Sequence, residues 1–262
     1  MGALVPLLFG VLVSGARAEA PAAAAPLGTV GLQSTVTRYG TSYESVYQLS
    51  LEPSATLRLG GVELSVILPL SASATDPTYC CRTALGNVTV EAAHRVTSFG
   101  LRHWVEASVS APTSYFSDAH ASSLAATAAL MRDAGFYLHD TTTLRAGLGA
   151  EVGVSGWLWL GASAGADYWL RHGQPSSALV VPLDLTARLP WAQDWSARVV
   201  FRTLVRAADA LGPRERFLSE LSGAVAHEWS GSRIELSVSV PLDESLRQLE
   251  MLSLGVAYSR SF

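Results

Sequence analysis

Met251-Leu-Ser-Leu-Gly-Val-Ala-Tyr-Ser-Arg-Ser-Phe262 closes the sequence on an aromatic residue. Leu252, Leu254, Val256, Tyr258 and Phe262 share one parity, while Ser253, Gly255, Ala257, Ser259 and Ser261 share the other. Successive side chains of a strand point to opposite faces, so this stretch has one greasy face and one small or polar face. Arg260 interrupts the greasy face once. A strand built this way sits between two solvents, either the core and water of a soluble sandwich or the lipid and lumen of a membrane barrel.

Composition separates the two. The 262 residues are 49% hydrophobic and 15% charged, with 22 Gly and a mean hydropathy of +0.27. Beyond the N-terminal segment, no run reaches the roughly 18 apolar residues of a membrane helix. A β-barrel spreads its apolar surface over alternate positions, which keeps the average high and every window unremarkable. Net charge is −4 with no basic run, so no nucleic-acid partner is expected. All 18 cationic residues are Arg, a bias that speaks of a GC-rich host.

Residues 1–20 read as a signal peptide, with apolar Ala3 to Val13 ahead of the small-x-small site Ala16-Arg17-Ala18. Residues 21–28 read as a linker. From 29 to 262 the period is two, with strands expected near 29–39, 46–59, 62–71, 87–97, 100–112, 140–154, 157–169, 178–189, 195–206, 217–229, 232–241 and 250–262. The connections Gly60-Gly61, Ser98-Phe99, Ser155-Gly156, Pro190 to Asp194 and Ser230-Gly231 are short, and those between them are long. An even strand count with alternating short and long connections predicts an all-β, antiparallel up-and-down transmembrane β-barrel of twelve strands, its tight turns and termini on the periplasmic side. Residues 117–135 are Ala-rich, begin with the caps Ser117 and Asp118 and end at Gly135, which predicts one helical extracellular loop. It either constricts the mouth or rests on its rim.

The terminal stretch resembles the closing strand of bacterial outer-membrane barrels, with Tyr258 and Phe262 in the positions that the barrel assembly machinery reads. That resemblance implies export to the outer membrane, with the assembly machinery and membrane lipid as partners.

The inward parity collects charge of both signs, including Arg95, Arg102, Glu91 and Glu106. Arg198, Arg202 and Arg206 form a cationic ladder on one strand, which either guides an anion or carboxylate or pairs with neighbouring carboxylates to fill the interior. Arg58 faces Glu63 across Gly60-Gly61, and Glu228 faces Arg233 across Ser230-Gly231, as ion pairs at the periplasmic mouth. Trp157, Trp159, Trp169, Tyr47, Trp229, Tyr258 and Phe262 fall near strand ends, where interfacial girdles sit.

Cys80 and Cys81 lie in the expected loop 72–86 and suit a vicinal disulfide better than a metal site, because no His or third Cys is spaced to join them. No metal and no cofactor is expected. His94 and His103 are expected opposite one another, facing outward, but neither has a nucleophile two positions on, so catalysis is not the leading reading.

Ala84-Leu-Gly-Asn-Val-Thr-Val-Glu-Ala-Ala-His-Arg95 resembles a strand-start signature of the outer-membrane barrels named after meta-pathway phenol degradation. Gly86 and Arg95 keep that pattern, whereas Ala84, Asn87 and His94 depart from it. The resemblance implies a barrel that moves hydrophobic or aromatic compounds. The resulting expectation is a porin-like channel for small, anionic or aromatic solutes. A non-conducting barrel working through its outer loops is the alternative, and a lipid-modifying enzyme the third.

Overall fold

The computed structural model describes residues 27–40, 45–75, 79–116, 136–172, 177–206, 217–243 and 251–262. These form fifteen antiparallel strand segments: β1 (Gly28–Gly40), β2 (Ser45–Leu59), β3 (Val62–Ile67), β4 (Leu70–Thr75), β5 (Tyr79–Leu85), β6 (Thr89–Ser98), β7 (Leu101–Ser110), β8 (Tyr115–Phe116), β9 (Thr141–Ser155), β10 (Leu158–Arg171), β11 (Ser177–Ala192), β12 (Trp195–Arg206), β13 (Phe217–Trp229), β14 (Ser232–Pro241) and β15 (Leu252–Ser261). They make one sheet in the order β1-β15-β14-β13-β12-β11-β10-β9-β7-β6-β3-β2-β4-β5-β8, and β1 also pairs with β2. That last pairing closes the sheet into a barrel.

Three of the wall positions are broken into two segments, β3 with β4, β5 with β6, and β7 with β8, so fifteen segments make twelve staves. The breaks lie side by side. Pro69 has no N–H to give and ends the β3 ladder. Gly86 donates to the Pro69 carbonyl (2.7 Å), Asn87 N–H to Phe136 O (2.6 Å) and Ala111 N–H to Val88 O (2.9 Å). Asn87 is fully buried and ties the breaks together: its Nδ2 donates to Leu138 O (2.9 Å) and Thr141 O (3.3 Å), and its Oδ1 accepts from Ser114 N–H (3.1 Å). Phe136 and Tyr137 are buried beside Ile67, and the Tyr137 hydroxyl donates to Leu70 O (3.2 Å).

Alternation sets the two faces. Leu148 (62% exposed), Leu185 (60%) and Leu254 (55%) stand among a continuous outward band of Leu, Val, Ile and Phe. A water-soluble surface does not carry an apolar patch of that extent. The polar parity points into the lumen, so lipid is the solvent outside.

Several expectations need correcting. The turn between β6 and β7 is Phe99-Gly100, both with positive φ (50° and 75°), because a primed two-residue turn requires the left-handed region at both central residues and glycine adopts it without strain. The register therefore pairs His94 with Val105 and His103 with Val96, so the two histidines are not opposed. The turn after β9 is likewise displaced by one, to Gly156-Trp157, while the connection expected over Pro190 to Asp194 narrows to Gln193-Asp194. The stretch expected as the loop 72–86 is largely the paired β4–β5 hairpin, Thr75 against Tyr79, which puts the backbone of Cys80 and Cys81 in a strand. Their side chains lie outside the described set, as do residues 1–26 and the helix expected over 117–135.

Trp159 and Trp169 also differ from expectation. Leu160, Ala162, Ala164, Ala166, Tyr168 and Leu170 take the outward parity of β10, so both indoles point inward instead of joining a girdle.

Candidate functional site

The lumen is graded along its axis. At the tight-turn end, three glutamates are each held by two arginines. Glu63 accepts from Arg58, its register partner, and from Arg95 Nε at 2.8 Å. Glu151 takes both arms of Arg188 at 3.0 Å and has Arg102 at 3.7 Å. Glu235 accepts from Arg198 and Arg233 at 2.7 Å each, and Arg233 also reaches Glu228. Trp159 lies under two of these cations, with the Arg102 guanidinium 4.3 Å and that of Arg188 5.2 Å from its ring centre. Arg58, Arg95, Arg102 and Arg198 keep 40–52% of their side-chain surface exposed, so this end is wet.

Halfway along, the pairs become two-armed and drier. Arg202 holds Asp184 at 2.7 and 2.9 Å, and Arg145 holds Asp167 at 2.8 Å through both arms. Both pairs are direct register partners, which fixes the geometry before any side chain rotates. The Asp167 side chain is only 8% exposed. Glu106 faces Arg145 and Arg202 across a cavity of about 60 Å³. A larger recess of about 180 Å³ lies between Arg198, Arg202, Glu220, Glu235 and Gln33. Close packing needs small residues here: a Cβ on Gly149 would lie 2.2 Å from the Trp104 indole.

At the long-loop end, ionic pairing gives way to hydroxyls. Ser253, Thr37, Gln48 and Ser73 stand side by side on β15, β1, β2 and β4, with Thr35, Ser50 and Ser71 one level down, all buried. Thr37 Oγ1 and Ser253 Oγ are 2.9 Å apart, while neither amide atom of Gln48 finds a partner among the described residues. On the opposite wall Trp169, Ala178, Val180, Leu204 and Leu218 form an apolar cluster against which Leu138 packs.

Arg198, Arg202 and Arg206 do share the inward face of β12, and the first two are bound to carboxylates. Glu91 also points inward, on β6. Asp167 and Trp104 are lumen residues that sequence reasoning missed. A bulge beside the β9–β10 turn, between Leu158 and Trp159, shifts the register by one and brings Asp167 to Arg145, which a straight count from the turn misses; parity alone places Trp104 inward. His94 and His103 are exposed on the outer face, and His94 Nδ1 contacts the Gly61 carbonyl at 2.8 Å. No hydroxyl nucleophile is bonded to either among the described residues, and no group of three metal-binding side chains converges there.

No protein-family model matches the chain, and no curated protein matches it either. Solved structures do. The COG4313 outer membrane channel from Pseudomonas putida F1 superposes with a TM-score of 0.65 over 95% of this chain and 100% of that one, at 11% identity. The fold is that of an outer-membrane β-barrel. The translocator domain of the autotransporter NalP from Neisseria meningitidis follows with a TM-score of 0.52 over 90% of this chain and 88% of that one, at 10% identity. At such identities the likeness is one of fold.

Proposed function

We propose that the chain is a narrow outer-membrane channel for small solutes, in which the guanidinium–carboxylate clusters are the selective section. The observation that carries this reading is the wet, charge-lined tight-turn half of a closed barrel whose outside is apolar. The Glu63 and Glu151 clusters each hold two cations to one anion, which favours anionic solutes. Arg198, Arg202 and Arg206 act within this network, with their carboxylate partners setting how much positive charge a solute meets. Trp159 offers a flat face to an aromatic one. The COG4313 protein is named a channel, which supports the same reading.

Residues 117–135 then serve as a constriction at the outer mouth, residues 1–20 as the export signal and 21–28 as the linker. Tyr258 and Phe262 serve as the signal to the assembly machinery, and Cys80 and Cys81 as a vicinal disulfide. The test is single-channel conductance of the refolded protein in a planar bilayer, beside Arg202→Ala and a variant lacking 117–135. Current steps whose anion preference falls in Arg202→Ala are expected.

The second reading, a non-conducting barrel working through its outer loops, is favoured by the burial of Gln48, Thr37 and Thr141 at the long-loop end. Silence of all three proteins would establish it over the channel.

A further inference from the structure

Arg260 stands on the lipid-facing side of β15, two positions past Tyr258. Its register partners are Val30 on β1, which is exposed, and Ser232 on β14, which has the outward parity but is buried, and the Arg260 side chain is exposed. The other outward positions nearby are Leu32, Ile234, Tyr258 and Phe262, and no described Asp or Glu of β1, β14 or β15 takes the outward parity. A guanidinium keeps its charge in any environment a protein offers, and an apolar face at a membrane boundary is costly ground for it without an anion. Among the described residues no carboxylate side chain faces Arg260, which leaves it open to an anion supplied by the membrane.

The neighbourhood says at what depth. An unbroken file of outward rings crosses the tight-turn rim: Trp191 to Trp195 (6.2 Å between centres), Trp195 to His227 (4.5 Å), His227 to Trp229 (5.4 Å) and Trp229 to Tyr258 (6.4 Å). Amphipathic rings gather where acyl chains meet headgroups, so Arg260 lies just on the headgroup side of that line. Beside it the Tyr258 hydroxyl and Ser232 Oγ are 3.4 Å apart. When one donates to the other, the second keeps a proton free to donate elsewhere.

We infer that Arg260 and the hydroxyl of the exposed Tyr258, backed by the buried Ser232, form a binding site for the phosphate of a glycerophospholipid. The guanidinium donates two N–H groups to two phosphate oxygens, the spare hydroxyl donates to a third position, and the acyl chains lie along Leu32, Ile234 and Val256. The site rests on the barrel spanning a membrane and not on its conducting anything, so a silent channel leaves it untouched.

The full chain, refolded in vesicles of phosphatidylethanolamine and phosphatidylglycerol and extracted in mild detergent, is examined by native mass spectrometry. One phospholipid should survive activation that strips the rest. Arg260→Gln should retain it at least about tenfold less well, the loss of the two-armed charge-assisted contact, while Arg260→Lys retains part of it. Arg38→Gln, at the other end of β1, should retain it as the parent does. Equal retention by Arg260→Gln overturns the inference. A second measurement needs no variant: a phosphate-free galactolipid of the same acyl length should not compete for the retained position, and equal competition overturns the inference as well. Should Arg260→Gln lower only the folded band in cells and keep its lipid in vitro, the residue serves assembly and the site falls.

Discussion

At the tight-turn end of the lumen, guanidinium groups stand half in water and share their glutamates. Halfway along, the same chemistry is closed off, with one arginine to one aspartate, both arms engaged and the carboxylate of Asp167 almost dry. Near the long-loop end, hydroxyls, one unpaired amide and an apolar cluster replace charge. The difference is one of solvent. Where water reaches, an ion pair contributes little to stability and is free to meet a passing solute; where it does not, losing one partner strands a charge.

The contrast is broken or sharpened by four variants, each read as the urea midpoint of the refolded barrel. Arg145→Ala should cost most, about 3–5 kcal/mol, because it leaves the Asp167 carboxylate buried without a counter-ion. Asn87→Ala comes next, at about 1–3 kcal/mol, since it removes the side-chain bonds that join two of the broken staves to Leu138 and Thr141. Trp159→Leu should cost about 1 kcal/mol by removing the ring beneath Arg102 and Arg188, and should raise the mobility of both guanidiniums. Glu228→Gln should cost well under about 1 kcal/mol, its side chain being 60% exposed and Arg233 still holding Glu235. A loss for Glu228→Gln as large as that for Arg145→Ala would erase the distinction between the two levels.

The barrel was legible because period-two alternation is the dominant signal in a wall whose two sides face lipid and water. From Leu252 to Tyr258 nothing competes with it. What stayed hidden depended on long-range placement. Pro69 falls inside the strand expected at 62–71 and Gly86 at the end of the expected loop 72–86, and only their adjacency across staves makes a seam of breaks at Asn87. Trp159 and Trp169 were misplaced because nearness to a strand end was weighed above parity, although the small outward residues of β10 already assign those indoles to the lumen. The hairpin β4–β5 was hidden because Ser71 to Thr75 lacks large apolar residues, although its backbone still has a partner to bond. The ion pairs across tight turns were readable, since two-residue hairpins fix register. The doubling of arginines on Glu63, Glu151 and Glu235 was not: Arg95 comes from the next stave, and Arg188 and Arg198 from two staves away, where no single hairpin fixes the approach.

The meeting of β1 with β15 has a kinetic consequence. Every other described pairing joins strands that follow closely in the chain, whereas Thr29 and Ser261 are 232 positions apart. Bringing ends so distant together costs about 5 kcal/mol of chain entropy if the intervening polypeptide is loose, and far less once the hairpins between them have zipped. Closure is therefore cheap only for a nearly finished cylinder. Until it happens, β1 or β15 presents a bare edge, and a chain arrested at that stage would add strands from its neighbours instead of its own.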